Sequence, residues 1–176
     1  MGFRVIDADR LGHEVIEPGT RAYDEIVLEF GAGLVGPDRR IDRGKLGAIV
    51  FADAEKLGRL NKIVHPRVEE EMVRQFTEWE KSGVKDAVFV EAALLVEAGY
   101  QENLDGLVIA WCKPEQQVER LIARGLSEVE ARRRIASQMP VEEKLKFATE
   151  KIDCSGTLEE TRKQVEELAK GLREKK

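Results

Sequence analysis

The stretch GFRVIDADR, residues 2–10, opens the chain with a short apolar run that ends in two aspartates, Asp7 and Asp9. Open α/β sheets place their chemistry at the carboxyl ends of their strands, where these carboxylates would lie. Such a strand normally follows an earlier βα unit, whereas only Met1 and Gly2 precede it here. The stretch therefore predicts an α/β fold with a catalytic edge, and with its first βα unit missing from these residues.

The composition indicates one globular domain without a membrane-spanning segment. The 176 residues can bury a sizeable core, and with 36% charged residues and a net charge of −5 they are typical of a globular chain. No apolar run approaches the roughly 20 residues of a membrane span, and charges interrupt any signal peptide. Cys112 and Cys154 lie far apart, which argues for free thiols in a reducing cytoplasm. The acidic balance argues against a nucleic-acid partner.

Three further apolar runs predict strands, separated by helical stretches. They cover residues 87–92, 106–112 and 148–154. Because the runs are continuous rather than alternating, they favour a parallel sheet whose strands are buried on both faces.

The longest helical block lies between the first two predicted strands. Its helices are expected at residues 21–30, 42–49, 54–64 and 66–81, the last beginning at Pro66. This exceeds a simple crossover and predicts an inserted helical subdomain. A terminal amphipathic helix is expected over residues 158–176, with inward side chains at Leu158, Val165, Leu168 and Leu172.

Asp7 and Asp9 are the first candidate functional residues. Alternation along a strand places them on the same side, near the strand's end. A carboxylate there could accept a proton from a substrate hydroxyl, or hold Mg²⁺ through water. The alternative is structural, because aspartate is common as a helix N-cap and in surface loops.

Two more motifs are candidates for substrate binding. In His65-Pro66-Arg67, a helix that begins at the proline would place His65 and Arg67 at an N-terminal anion site, unless they are only a cap and an exposed arginine. In the segment EAALLVE, residues 91–97, Glu91 ends a predicted strand, and Leu94 and Leu95 could line an apolar pocket. The alternative there is ordinary core with solvated glutamates.

A basic segment follows the third predicted strand. Ser127 is a predicted N-cap that forms a capping box with Glu130, so two helices would meet at Gly125. Arginines on such a hinged pair can fold over phosphates and neutralise developing charge, although a solvated charged face is the commoner fate. The polar residues concerned are Arg120, Arg124, Arg132, Arg133, Arg134 and Gln138.

In their order along nearly the whole chain, these motifs resemble the dephospho-coenzyme A kinase family, whose members phosphorylate the ribose 3′-hydroxyl of dephospho-CoA in the last step of CoA synthesis. The resemblance is carried by the segments VIDAD (5–9), EPG (17–19), HP (65–66), EAALLVE (91–97), GLS (125–127), RIASQM (134–139) and IDCSG (152–156).

The chain departs from the family pattern in two places. The family begins with a strand, a Gly-rich P-loop ending in Gly-Lys-Ser/Thr and a helix, about 25 residues in all. The only Gly-Lys here is Gly44-Lys45, inside the helical block. Without the P-loop we expect impaired kinase activity, since its lysine and amides bind the ATP phosphates. Cys154 stands where the family commonly has Asn, near the adenine end of the site.

The resemblance implies a three-layer α/β/α P-loop kinase-like fold, formed by residues 1–176 as one domain. It implies a CoA-side helical insert at residues 11–85 and a lid at residues 115–143. ATP and Mg²⁺ would be the cofactors and dephospho-CoA the acceptor, with no metal ligand assigned in this chain. Asp9 would be the general base. The substrate-binding residues would be His65, Arg67, Glu91 and Leu94, and the ATP and lid residues Arg120, Arg124, Arg134 and Gln138.

Three hypotheses follow. The chain is an enzyme whose true N-terminus is lost from this sequence, or a non-catalytic remnant that at most binds the CoA moiety, or another nucleotide kinase of the same architecture. The motif at His65-Pro66 and the segment at residues 91–97 argue against the third.

Overall fold

The computed structural model describes residues 1–174, which form four strands and eight α-helices. The strands are β1 (Arg4–Asp7), β2 (Val88–Glu91), β3 (Val108–Trp111) and β4 (Glu150–Asp153). The helices are α1 (Ala8–Glu14), α2 (Arg21–Phe30), α3 (Arg43–Val50), α4 (Ala54–Lys81), α5 (Pro114–Ala123), α6 (Glu128–Ala136), α7 (Val141–Lys144) and α8 (Leu158–Glu174). The predicted helical end at residues 175 and 176 lies outside the described residues.

The strands pair in parallel, which confirms the predicted α/β class. Among the described residues, β1 pairs with β2 and β3 with β4, each as a two-stranded sheet. The expected burial on both faces is wrong, because β2 and β3 have no buried residue and β4 has only Ile152. A parallel sheet normally carries a layer on each face. Here β1 and β4 each bury one residue and β2 and β3 bury none, whereas a covered strand buries several.

The first of two compact units comprises residues 3–92. Its core is a cluster contributed by the segment after α1, by α2, by α3 and by the link between them: Ile16, Ala22, Ile26, Leu34, Ile41, Leu46 and Val50. Local signals start these helices, since Thr20, Asp42 and Asp53 each cap a helix by accepting hydrogen bonds from its first amides. The predicted boundaries of the insert, residues 11–85, stay a prediction.

Helix α4 runs through Pro66 without a break, so the predicted new helix start at this proline is wrong. An interior proline has no amide hydrogen to donate and costs about 3 kcal/mol. The helix continues because both of its halves are anchored by packing: Leu57, Leu60, Ile63 and Val64 lie against the core, and Met72 is buried beyond the proline. Tertiary packing here outweighs local propensity.

The second unit comprises residues 1–2 and the chain from Ala93 onward. Helices α5 and α6 meet at Gly125, whose φ of 96° suits glycine, and Ser127 with Glu130 forms the predicted capping box. In α8 the predicted inward position of Leu158 is wrong, because its side chain is 86% exposed. This helix reaches β4 through its second turn, where Gln164 bonds both backbone groups of Asp153.

Candidate functional site

Asp7 and Asp9 do not share a face of β1 as predicted. The strand ends at Asp7, whose Oδ1 accepts a hydrogen bond of 2.8 Å from the amide of Arg10 and so caps α1. Asp9 lies one residue inside that helix, in its first turn. The period of two that relates strand residues stops where the helix begins. The structural alternative therefore holds for Asp7.

The carboxyl edge of the β1–β2 sheet nevertheless gathers acidic residues. Asp7 and Glu91 are partners in the strand register, and each is the last residue of its strand. Asp9 follows within the next turn of chain and is exposed to solvent, as Glu91 is. An exposed carboxylate beyond the end of a parallel strand is well placed to meet a substrate.

His65 and Arg67 lie in the middle of α4, and the predicted anion site at a helix N-terminus is therefore wrong. His65 is exposed. The Arg67 side chain is only 19% exposed and bonds Glu70 at 2.6 Å and Glu25 of α2 at 3.4 Å. Hydrogen bonding to Glu70 raises the pKa of Arg67 above its ordinary value. Arg67 thus joins α4 to α2 through its carboxylate partners.

The segment after β2 divides its apolar side chains between core and surface. Leu95 and Val96 are buried, whereas Leu94 is 50% exposed. Of the two leucines predicted to line an apolar pocket, only Leu94 is accessible, because Leu95 is buried in the core. Leu94 retains an apolar surface that a ligand can contact.

The arginines of α5 and α6 differ in what they contact. Arg120 donates to the backbone carbonyl of Cys154 at 2.6 Å, which ties α5 to the end of β4. Arg132 donates to Glu128 on its own helix at 2.7 and 2.9 Å, as a solvated surface pair does. Arg124 and Arg134 are exposed; Arg124 is the residue that follows α5, and Arg134 lies in the last turn of α6. The alternative of a solvated surface charge thus fits Arg132.

The carboxyl edge of the β3–β4 sheet carries the two cysteines. Cys112 is buried, and burial raises the pKa of its thiol. At the end of β4, the Ser155 amide donates to Asp153 at 2.7 Å and holds the pKa of that carboxyl below its ordinary value. Within residues 1–174, the Ser155 hydroxyl oxygen is buried without a hydrogen-bond partner. A buried polar atom of this kind is a natural ligand contact.

One contact network was missed by the sequence argument. Lys144 Nζ lies 2.9 Å from Glu97 Oε1 and 3.0 Å from the carbonyl oxygen of Ala93. The same Glu97 oxygen accepts from the amide of Met139 at 2.9 Å. Nothing in the local pattern separates Lys144 from the surface lysines around it, so only proximity in space reveals the network.

The described residues have two further general properties. Within residues 1–174, no group of three or more His, Cys, Asp or Glu side chains is arranged to hold a metal ion. None of the helices in that range has the length and apolar character that crossing a membrane requires.

Comparison with known proteins finds that the chain is similar to dephospho-CoA kinases. Residues 1–160 match the dephospho-CoA kinase family. The chain is 44% identical over 169 residues to the dephospho-CoA kinase of Geobacter sulfurreducens, covering 96% of this chain and 85% of that protein. It is 46% identical over 167 residues to that of Bacillus cereus, covering 94% and 83%.

Solved structures agree with this similarity. A crystal structure of the Thermus thermophilus protein TT1252 superposes with a TM-score of 0.79 at 34% identity, over 97% of this chain and 85% of that one. The dephospho-CoA kinase from Campylobacter jejuni superposes with a TM-score of 0.67 at 31% identity, over 97% and 87%. These similarities support the three-layer P-loop kinase-like fold.

Proposed function

Because this chain belongs to the dephospho-CoA kinase family and is therefore a phosphotransferase, we propose that it transfers the γ-phosphoryl group of ATP to the 3′-hydroxyl of dephospho-CoA, which gives coenzyme A. The match of residues 1–160 to the family carries the proposal. The acidic edge of the β1–β2 sheet and the exposed arginines of α5 and α6 support it.

Asp9 is the proposed general base. As the 3′-oxygen bonds to the γ-phosphorus and the bond to ADP breaks, the hydroxyl proton passes to the Asp9 carboxylate. The position of Asp9 in the first turn of α1, immediately beyond β1, supports this role, because the residue is exposed to solvent at the carboxyl end of the strand.

Arg134 and Arg124 are the proposed phosphate contacts. Phosphoryl transfer spreads charge over three equatorial oxygens, which a guanidinium can neutralise with paired hydrogen bonds. Their exposure near the ends of α6 and α5 supports this role, and Gln138 follows shortly after Arg134 in sequence. Arg120 is also a candidate phosphate contact, and in addition it donates a hydrogen bond to the carbonyl of Cys154.

On the acceptor side, His65, Arg67, Glu91 and Leu94 are proposed to hold dephospho-CoA. His65 is the stronger candidate of the first two, because it is exposed while Arg67 bonds Glu25 and Glu70. Glu91 ends β2 and can accept a hydrogen bond from the ribose. The exposed face of Leu94 supplies an apolar contact.

Mg²⁺ accompanies ATP in phosphoryl transfer and neutralises charge between the phosphates. The part of the chain that is described has no group of three or more His, Cys, Asp or Glu side chains arranged for a metal ion. The 176 residues also contain no Gly-x-x-x-x-Gly-Lys-Ser/Thr segment. We therefore propose that they have impaired kinase activity on their own.

The thiols of Cys112 and Cys154 are both free, which supports a reducing cytoplasmic location.

The test compares two forms. The short form is the 176 residues. The longer form adds the strand, Gly-rich loop and helix of the family before Met1, taken from the upstream reading frame or grafted from the Geobacter relative. ATP-dependent phosphorylation of dephospho-CoA is expected from the longer form and at most weakly from the short one.

The outcomes separate the hypotheses. Robust turnover by the short form would remove the proposed impairment. No turnover by the longer form would remove the kinase proposal. In that case, calorimetric titration of the short form with CoA would test the alternative, a non-catalytic remnant that binds the CoA moiety.

A further inference from the structure

Lys144 stands at the centre of a network within the second unit. Its Nζ lies 2.9 Å from Glu97 Oε1, 3.0 Å from the Ala93 carbonyl oxygen and 3.4 Å from Gln138 Oε1. Glu97 completes the network by accepting from the Met139 amide at 2.9 Å. We call Ala93, Glu97, Gln138, Met139 and Lys144 the clasp. It joins the segment after β2 to the segment after α6.

The clasp is more deeply set than an ordinary surface ion pair. The side chains of Lys144 and Glu97 are 13% and 23% exposed. Lys146, two residues further on, pairs with Glu143 at 66% and 51% exposure. A pair that is shielded from water keeps more of its Coulomb attraction, and removing one partner leaves the other poorly solvated.

The chain between the clasp and Arg134 is short and internally bonded. The Ser137 hydroxyl donates to the Arg134 carbonyl at 2.8 Å, and the Gln138 amide donates to the Ile135 carbonyl at 3.1 Å. Met139, the next residue, donates to Glu97. Fixing Met139 therefore restricts where the last turn of α6 can point its arginine.

We propose that Lys144 is a positioning residue which, through Glu97, holds the end of α6 so that Arg134 and Gln138 meet the phosphates of ATP. This inference rests on the proposed kinase function. Lys144 itself bonds protein oxygens, those of Glu97, Ala93 and Gln138. Its effect should therefore fall on the nucleotide side of the reaction and leave the acceptor side unchanged.

Lys144→Met tests the proposal, and Lys146→Met is the matched control because it removes an exposed pair from the same short segment. Both are made in the longer form. Amide hydrogen exchange at Met139 reads the clasp directly. Steady-state kinetics read its effect on KM for ATP and, separately, on KM for dephospho-CoA. A merely structural loss would lower the active fraction without moving either KM.

In Lys144→Met, exchange at Met139 should accelerate about tenfold, KM for ATP should rise about tenfold, and kcat should fall in the same direction as in Arg134→Ala, with KM for dephospho-CoA unchanged. The control should match the parent. An unchanged KM for ATP, or an equal effect in Lys146→Met, would overturn the inference while leaving the kinase proposal intact. A parent without turnover would remove the kinase proposal and this inference with it.

Glu97→Gln keeps the test decisive if Lys144→Met does not fold. The amide oxygen can still accept from Met139, but the charge that attracts Lys144 is gone. We expect a smaller rise in KM for ATP, about threefold, again without a change in KM for dephospho-CoA. No change in KM for ATP in this variant would overturn the inference.

Discussion

Asp7 and Glu91 lie opposite each other as the last residues of two parallel strands, β1 and β2. One of them is used structurally, since Asp7 caps the helix that carries Asp9. The strand end therefore orients the helix, and the helix presents the carboxylate. Asp7 thus has a capping role and Asp9 a proposed catalytic role, so substitutions at the two positions should have different effects.

Asp9→Asn in the longer form should lower kcat by about 10²–10⁴-fold with little change in substrate binding, because general-base assistance is lost. Asp7→Asn should be much milder, since Asn caps a helix about as well as Asp. Steady-state kinetics on both variants provide the measurement. Comparable small losses would mean that Asp9 is not the base, and a change confined to KM would assign it to binding.

Arg134→Ala should lower kcat, because losing a charge-assisted hydrogen bond in the transition state raises the activation free energy by about 1.5–3 kcal/mol. Arg132→Ala is the control on the same helix, because Arg132 bonds Glu128 at the surface and should leave kcat unchanged. Rapid-mixing measurement of the phosphoryl-transfer step would check this directly. Equal rates for the two variants would mean that Arg134 is solvated like its neighbour.

Pro66→Ala should raise the free energy of unfolding by about 1–3 kcal/mol, because it restores an amide donor in the middle of α4. Pro37→Ala is the control. Pro37 occupies a turn in which the Arg39 amide bonds the Gly36 carbonyl, where proline is favourable. Urea titration measures both. A loss of stability in Pro66→Ala would show that the proline fits its helix better than its missing donor suggests.

The short form should unfold at lower temperature and more broadly than the longer form. Its parallel sheets have two strands each within the described residues, and Val5 and Val88 are 53% and 37% exposed. Open strand edges and uncovered apolar side chains both lower stability. Calorimetry of the two forms gives the comparison, and a sharp, equally high transition in the short form would contradict the expectation.

Lys144→Met should reduce the loss of folding stability that occurs as the pH falls below the ordinary carboxyl pKa of Glu97. Burial alone would raise the pKa of Glu97, but hydrogen bonds from Lys144 and the Met139 amide outweigh it and hold that pKa below its ordinary value of 4.5. The folded protein thus binds fewer protons than the unfolded chain near this pH. The stabilisation is therefore present above pH 4.5 and lost as the pH falls through the lowered pKa.

Melting temperatures of the parent, Lys144→Met and Lys146→Met between pH 3 and 6 would show this effect. The difference between the parent and Lys144→Met should shrink toward the acid end, while Lys146→Met should track the parent throughout. A constant difference across the range would mean that the charge of Glu97 does not contribute.

The limits of local pattern show most clearly at Pro66. Read locally, His65-Pro66-Arg67 predicts a helix start with an anion site. The structure instead continues α4 through it, because the apolar side chains on both sides of the proline are buried or packed. Where packing energy exceeds a local penalty, the sequence motif loses its predictive value.

The sequence by itself determined the features that depend on neighbouring residues. The position of all four strands, the ends of α2, the capping box at Ser127 and the turn at Gly125 follow from propensity, capping and backbone sterics within a few residues. The family resemblance also followed from the order of short motifs along the chain.

Tertiary structure alone decided which polar residues meet. Arg67 with Glu25, Arg120 with the Cys154 carbonyl, and Lys144 with Glu97 are distant in sequence and adjacent in space. No periodicity encodes such pairs, because side-chain spacing along one element says nothing of the element packed against it. The partners of each charge, and hence its availability to a substrate, depend on the fold as a whole.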